Sequence, residues 1–485
     1  MTRLRDTYAP TRALVGTFLL LFFAFAYIHQ GHYRTAATPV SRLDLLHALF
    51  VHGTLRIDAY VQNTTDRAVY EGHYFSDKAP GTVALALPAF GAAAIILQAA
   101  DVPLDSDSGW LFSSWAATAG SNALLAALGG SLLFAWLSHW VSPCWALVTT
   151  LALFLGAAPL PYATMMHSHA ATVGLIAIAL WTIEHQTDKD ARRNRIPTLP
   201  LPHALSVQTR GPLRGSLSAH GWDALGGLAC GWVLASEYTA GIVVTGVLVW
   251  LISLQWQRAI PFCLAALPPL LLIPAYSWAC FGDPFILPYS RSDMFPPMKE
   301  GLYAIKWPDL NTVYHLLFTP KRGLLFWTPF LVMAGFGYRR LWQTDRRLFW
   351  LTSAVPLLQV IVISGRTFDW EAGPALGPRY LSPMLPLLAL PCALGLQRFS
   401  KLGIALATYS VLITTLATLT DACPIGITPN PLIEHHIPLL RNGQFSPNLG
   451  MVLGLPPYLS VALYYLLLMG GSWWLWTHGA SPKRE

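Results

Sequence analysis

Between residues 42 and 78 the sequence gathers side chains able to handle protons and phosphates: Arg42, Asp58, Asp66, Tyr74, Asp77 and Lys78. A carboxylate takes the proton of an attacking hydroxyl when it sits within hydrogen-bond reach. A guanidinium grips a phosphate through two parallel hydrogen bonds, and an ammonium meets it as a point charge. Asp58 and Asp66 are therefore the candidate bases. Arg42, Lys78 and Arg379 are the candidate phosphate clamp, with Arg322 in reserve. His167, His169, Glu237 and Tyr74 are candidate substrate contacts, and Tyr289, Trp307, Tyr314 and Trp370 are candidates to line a groove.

Each residue also has a structural reading. Lys78 can anchor the apolar segment behind it by snorkelling. Asp77 is read as the cap of the helix that Pro80 starts, and Asp66, after Thr64 and Thr65, also fits a cap. His167 and His169 form an i, i+2 pair, which is a weak metal signal, so no metal ligand is assigned and a divalent metal is left open. Glu237 lies between two short apolar runs, where an unpaired charge is costly, so it is expected to face the bundle and a partner.

The elements that must position these groups are helices in a membrane. Of 485 residues, 54% are hydrophobic and 11% charged, with 19 tryptophans, which describes a polytopic all-α membrane protein and leaves no room for a soluble domain. Nothing points to a nucleic-acid partner. Five of the six cysteines lie inside apolar runs and Cys423 stands alone, so neither a disulfide framework nor a CxxC metal site is available. Apolar runs fall near 13–29, 111–137, 143–160, 169–185, 222–236, 239–254, 259–281, 324–337, 349–364, 380–397, 402–420 and 457–477, giving about twelve transmembrane helices in one domain spanning 1–485. The first run follows Arg3, Arg5 and Arg12 and has no small-residue cleavage site, so it is read as a retained helix.

Residues 81–100 are a thirteenth apolar run, and whether they cross decides the side of everything downstream. If they do not cross, the inner segments hold 18 Lys and Arg against 7 Asp and Glu, and the outer ones 13 against 17. Crossing would turn every basic loop from Arg192 onward outward, against the positive-inside rule. Residues 81–100 are therefore expected to form an interfacial or re-entrant helix on the outer side, kinked at Pro88, with both termini cytoplasmic in a plasma or inner membrane. Residues 30–110 become a large first outer loop, in which 41–52 ("SRLDLLHALFVH") reads as a second interfacial, amphipathic helix. Residues 282–323 form another outer loop, and the basic stretch 186–221 is cytoplasmic. The ionisable groups collect on the outer face, where the candidate residues lie.

On these residues the chain resembles the polytopic glycosyltransferases of the GT-C superfamily. The likeness rests on a first helix, a carboxylate-bearing outer loop, "SDKAPG" in place of a Lys/His-Pro-Pro-like element before an apolar segment, and "GPRY" around Arg379. The branch it looks most like holds the aminoarabinose transferases and protein O-mannosyltransferases, whose acidic-Arg motif "SRLDLL" matches at Arg42. Where that branch has its acid pair, this chain has Pro39, Val40 and Ser41, which moves the expected base to Asp58 or Asp66. "GWDALGGLACGWVLASEYTAG" is similar to the paired short helices of the family.

The resemblance implies an inverting transfer of a hexosyl or pentosyl group from a polyprenyl-phosphate carrier to an extracytoplasmic acceptor such as a glycolipid, an envelope polysaccharide or a protein. Two alternatives share parts of this pattern: a flippase or transporter of a lipid-linked glycan, and a polysaccharide ligase. Transporters tend to show internal repeats and mid-membrane ionisable groups. No repeat is visible here, and the polar inventory loads one face.

Overall fold

The computed structural model describes residues 11–30, 37–193, 220–295, 305–424 and 428–479, with backbone alone over 188–193. The termini, part of the 186–221 stretch and part of the 282–323 loop lie outside the described residues. In chain order the main elements are α1 (Thr11–Ala26), α2 (Ala37–His47), a hairpin of β1 (Arg67–Tyr70) and β2 (His73–Ser76), α3 (Gly81–Ala99) and α4 (Asp107–Leu137). Then come α5 (Pro143–Leu155), α6 (Ser168–Arg193), α7 (Gly221–Ser236), α8 (Tyr238–Leu254) and α9 (Trp256–Phe281). The chain continues through α10 (Leu310–Phe318), α11 (Met333–Thr344), α12 (Arg346–Ser364), α13 (Arg379–Arg398), α14 (Ser400–Asp421) and α15 (Pro457–His478).

Among the described residues, α3, α4, α9, α12, α13, α14 and α15 are long and apolar enough to cross a membrane; α1, α5 and α8 are apolar but shorter. The sequence count of twelve adds α1, α5, α6, α7, α8 and α11 to this set and omits α3.

The bundle packs by close backbone approach. Gly129 of α4 and Gly174 of α6 face each other so closely that a methyl group on either would meet the other helix's backbone. The first half of α4 pairs with α3, where Gly120 lies against Ala89. At one end of α1, Trp115 Nε1 donates to Ala26 O at 2.9 Å; at the other, Ser131 Oγ donates to Leu14 O at 2.8 Å. These bonds fix α1 and α4 as antiparallel neighbours. The helix α3 therefore folds back along the first half of α4 instead of running beside its whole length.

Three elements differ from the sequence reading. The segment 41–52 is not a surface amphipathic helix: α2 begins at Ala37, a wide turn follows over 48–52, and every residue from Pro39 to Ala48 is buried. Protein covers it on all sides, from the hairpin, α3 and α4, so its polar residues Arg42, Asp44 and His47 are interior groups. The apolar run 324–337 is broken by Pro329 into short turns before α11, because proline lacks the N–H that a continuous helix needs. The hairpin is strand where only helix and loop were expected. Its turn is Glu71-Gly72, both with positive φ (50° and 80°), the backbone that a two-residue hairpin turn requires.

Candidate functional site

The hairpin builds the centre of the site. Its register pairs Arg67 with Ser76, Ala68 with Phe75, Val69 with Tyr74 and Tyr70 with His73. One rung further out, beyond the last pair, stand Asp66 and Asp77, so strand pairing alone sets two carboxylates beside each other. Facing like charges destabilise a hairpin. Lys78 resolves this: its Nζ lies 2.8 Å from Asp66 Oδ2 and 3.0 Å from Asp77 Oδ1. Thr38, from the start of α2, donates to Asp66 Oδ2 at 2.5 Å, and Ser292, bridged to Ala68 of β1, donates to Asp77 Oδ2 at 3.4 Å. The ring of Tyr289 lies under the ammonium at 5.0 Å.

All three charged groups are buried, Lys78 being 7% exposed and Asp77 1%. Burial pushes the Asp77 carboxyl up to about 6, since Lys78 offsets only part of the desolvation and Asp66 adds repulsion. Asp66 feels the same burial, but attraction and hydrogen bonding from Lys78, with the Thr38 hydroxyl, hold it below the usual carboxylate range. Burial would strip the proton from Lys78; the two carboxylates raise it instead, so the ammonium stays charged. Just beyond, Gly81 starts α3 so close to α7 that a Cβ would meet the Ala235 carbonyl carbon at 2.5 Å. A side chain there would push Lys78 away from the bundle.

This triad opens onto a cavity of about 300 Å³ into which four further cation and acid positions point: Arg42, Arg366 and Arg379, and Glu237, with Asp369 beside them. Arg42 donates from Nη1 to Met166 O at 3.1 Å, and Arg379 from Nη1 to His167 Nε2 at 3.0 Å. Neither arginine has a carboxylate within ion-pair distance among the described residues, and the Nε–H of each meets no acceptor there. Burial, reinforced by Arg379, pushes His167 well below the ordinary imidazole range, so it is neutral and accepts through Nε2. Arg366, by contrast, is committed: its Nη2 donates to Asp369 Oδ2 at 2.8 Å, and Tyr380 OH donates to the same oxygen at 2.9 Å.

Glu237 sits at the break between α7 and α8. It accepts from Ser168 Oγ at 2.7 Å and Thr239 Oγ1 at 2.7 Å, with His169 Nδ1 at 3.6 Å from Oε2. Burial opposes its charge, but His169 and these two hydroxyls outweigh it and lower the carboxyl to about 2. The acid is an ionised anchor that ties the start of α6, with His169 in its first turn and His167 just ahead of it, to the α7–α8 break. No group of three metal-ligating side chains occurs among the described residues.

The structure thus brings together Arg42, Asp66, Lys78, His167, His169, Glu237 and Arg379. It places Asp58, Tyr74 and Arg322 outside the cavity. Asp58 is half-exposed and spent on the hairpin, accepting from Tyr74 N at 2.7 Å and pairing with His73 Nδ1 at 2.8 Å. Tyr74 lies beneath the Arg67 guanidinium. Arg322 donates to the carbonyls of Glu371, Gly373 and Ala375 and so holds the 371–375 loop, where Ala372 takes a positive φ of 60°. That loop lines the cavity, so Arg322 shapes the wall without reaching the interior.

Asp77 does not cap α3, whose N-cap is Pro80 with no side-chain bond; it faces Lys78. The sequence reading also passed over Thr38, Arg366, Asp369 and Tyr380. The Arg366 and Asp369 pair has a visible i, i+3 spacing, whereas Thr38 carries no signal at all.

No protein-family model matches the chain, and a search of curated proteins finds no match. Solved structures do. ArnT from Cupriavidus metallidurans bound to undecaprenyl phosphate aligns with a TM-score of 0.50 at 15% identity, over 97% of this chain and 77% of that one. The apo state of the same protein gives 0.46 at 14% identity, covering 97% and 76%. The archaeal oligosaccharyltransferase AglB from Archaeoglobus fulgidus, in complex with an inhibitory peptide and a dolichol-phosphate, gives 0.43 at 12%, covering 98% and 56%. The chain shares its fold with the first of these across nearly its whole length.

Proposed function

We propose that the protein is a glycosyltransferase that moves a sugar from a polyprenyl-phosphate carrier to an extracytoplasmic acceptor, with Asp66 as base. One observation carries this reading: two buried arginines, Arg42 and Arg379, line a single cavity with unmet N–H donors and no carboxylate partner among the described residues, next to a carboxylate held ionised. Buried donors without acceptors are costly, and a phosphate supplies the missing oxygens and the missing charge. The similar ArnT structure holds undecaprenyl phosphate.

In the proposed reaction the acceptor oxygen attacks the anomeric carbon, the bond from that carbon to the phosphate oxygen breaks, and polyprenyl phosphate departs with the electron pair. Asp66 takes the acceptor's proton, and a single displacement inverts the anomeric centre. Arg42 and Arg379 hold the phosphate and stabilise the charge that grows on it. Glu237, through Ser168 and His169, keeps α6 in place, which orients His167 beneath Arg379. The cavity volume, at the lower end of small-molecule sites, favours a monosaccharide donor over the long glycan that a ligase would carry. Charge asymmetry supports an extracytoplasmic site, and the packing of α3 against the first half of α4 supports keeping residues 81–100 with the first loop.

The test is a cell-free assay with purified protein in lipid, a pool of polyprenyl-phosphate sugars and a cell-envelope acceptor extract. Wild type should transfer label to acceptor; Asp66→Asn should not, and Asp58→Asn should. Equal activity in the two variants would remove Asp66 from the role.

A further inference from the structure

Lys78 has two incompatible duties. It is the ion-pair partner of Asp66 and Asp77, and it lines the same cavity as the arginines that await a phosphate. Asp66, while it accepts from both Lys78 and Thr38 on Oδ2, is a weak base. The leaving group changes this balance. A donor phosphodiester carries one negative charge; once the bond to the sugar breaks, the departing monoester carries nearly two at neutral pH.

Resting on the proposed function above, we infer that Asp77 is a positioning residue that couples the leaving group to the base: as the phosphate gains its second charge it draws the Lys78 ammonium from the two carboxylates, and the abandoned pair, Asp66 facing Asp77, takes up the acceptor's proton on Asp66. Atoms and charge balance within the site. The bond from the anomeric carbon to the phosphate oxygen breaks as the bond from that carbon to the acceptor oxygen forms. The proton passes from the acceptor to Asp66, and the ammonium follows the electron pair to the phosphate. Geometry carries this. The hairpin register holds the carboxylates side by side. One ammonium touches both, so their facing oxygens lie less than about 6 Å apart in a buried setting, and removing it leaves like charges that share one proton. Asp77 touches no reacting atom; its part is to make Asp66 basic when Lys78 leaves.

The inference is testable in the wild type without any variant, by titration calorimetry at pH 7.5 in two buffers of different ionisation enthalpy, which counts protons taken up on binding. The probes are polyprenyl phosphate, a product-like monoester, and polyprenyl methyl phosphate, a donor-like diester with one fixed charge. Loss of Lys78 shifts the pair upward by about two pKa units. Monoester binding should therefore take up about 0.7 of a proton and diester binding less than about 0.2. Asp77→Asn should still bind the monoester but lose at least half of the uptake, and Asp77→Glu should restore it. Binding of both probes with no proton uptake would overturn the coupling and leave the phosphate clamp intact. Failure to bind either lipid would overturn the clamp, and the coupling with it.

Discussion

Replacing Lys78 with Met removes the charge shared by Asp66 and Asp77 while keeping most of the side-chain volume. The two carboxylate oxygens it touches, at 2.8 and 3.0 Å, lie less than about 6 Å apart. At an effective dielectric of about 20, the ammonium attracts each carboxylate by about 3 to 4 kcal/mol over about 4 to 5 Å between charge centres, so its loss raises the pair by at least about two pKa units. The pair answers by keeping a proton. Its upper pKa rises from about 6, the value at Asp77 in the wild type, to about 8 in the variant. A carboxyl whose folded pKa exceeds its unfolded one adds stability at low pH and loses it as pH climbs through the folded value.

The wild type therefore loses this contribution by about pH 6, and the variant goes on losing stability to about pH 8. The gap between them should be small at pH 5.5 and widen by about 2.7 kcal/mol between pH 6 and 8, then flatten. Thermal unfolding of both proteins in lipid nanodiscs, followed by tryptophan fluorescence at half-unit pH steps, reads it out. A gap that stays constant from pH 6 to 8 would refute the claim that Lys78 separates two facing acids.

Other expectations follow from the same geometry. Asp66→Asn should lower the transfer rate by about 10²- to 10⁴-fold, the range of a lost general base, with lipid-phosphate affinity little changed; equilibrium binding alongside initial rates checks both. Arg42→Gln and Arg379→Gln should each weaken polyprenyl phosphate binding by about 1.5 to 3 kcal/mol, through loss of a charged hydrogen-bonding partner, measured by calorimetry. Arg322→Met should act through the fold: three carbonyls of the 371–375 loop lose their donor, so the melting temperature falls and binding weakens, and a variant with wild-type stability would show that the loop holds itself.

Much of the architecture is legible in the sequence because hydrophobic runs of helical length have few other fates in a chain this apolar. The packed condition of α2 is not legible. Its pattern of Leu43, Leu45 and Leu46 beside Arg42, Asp44 and His47 is that of a half-exposed helix, and only the third dimension shows that the polar side is covered as well. The hairpin escaped for a related reason: Glu71-Gly72 resembles a turn, but four-residue strands of mixed polarity offer no alternation to read.

That hairpin decides the site, because its register sets Asp77 opposite Asp66 and turns an apparent helix cap into a second acid. Lys78, Arg42 and Arg379 are legible in the sequence as cations in outer loops beside apolar segments. Arg322 is equally legible but serves the loop. Charge at a membrane boundary marks a residue as unusual, and its hydrogen-bond partners decide what it does.

The most direct test of the central claim places the protein in sealed vesicles with a radiolabelled polyprenyl-phosphate sugar and envelope acceptor, and measures free polyprenyl phosphate together with the leaflet distribution of the labelled lipid. Release of free polyprenyl phosphate in step with label on the acceptor, abolished by Asp66→Asn, is the result this account predicts. Redistribution of intact lipid-linked sugar between leaflets, with no free polyprenyl phosphate released, would contradict it and make the cavity a transport site.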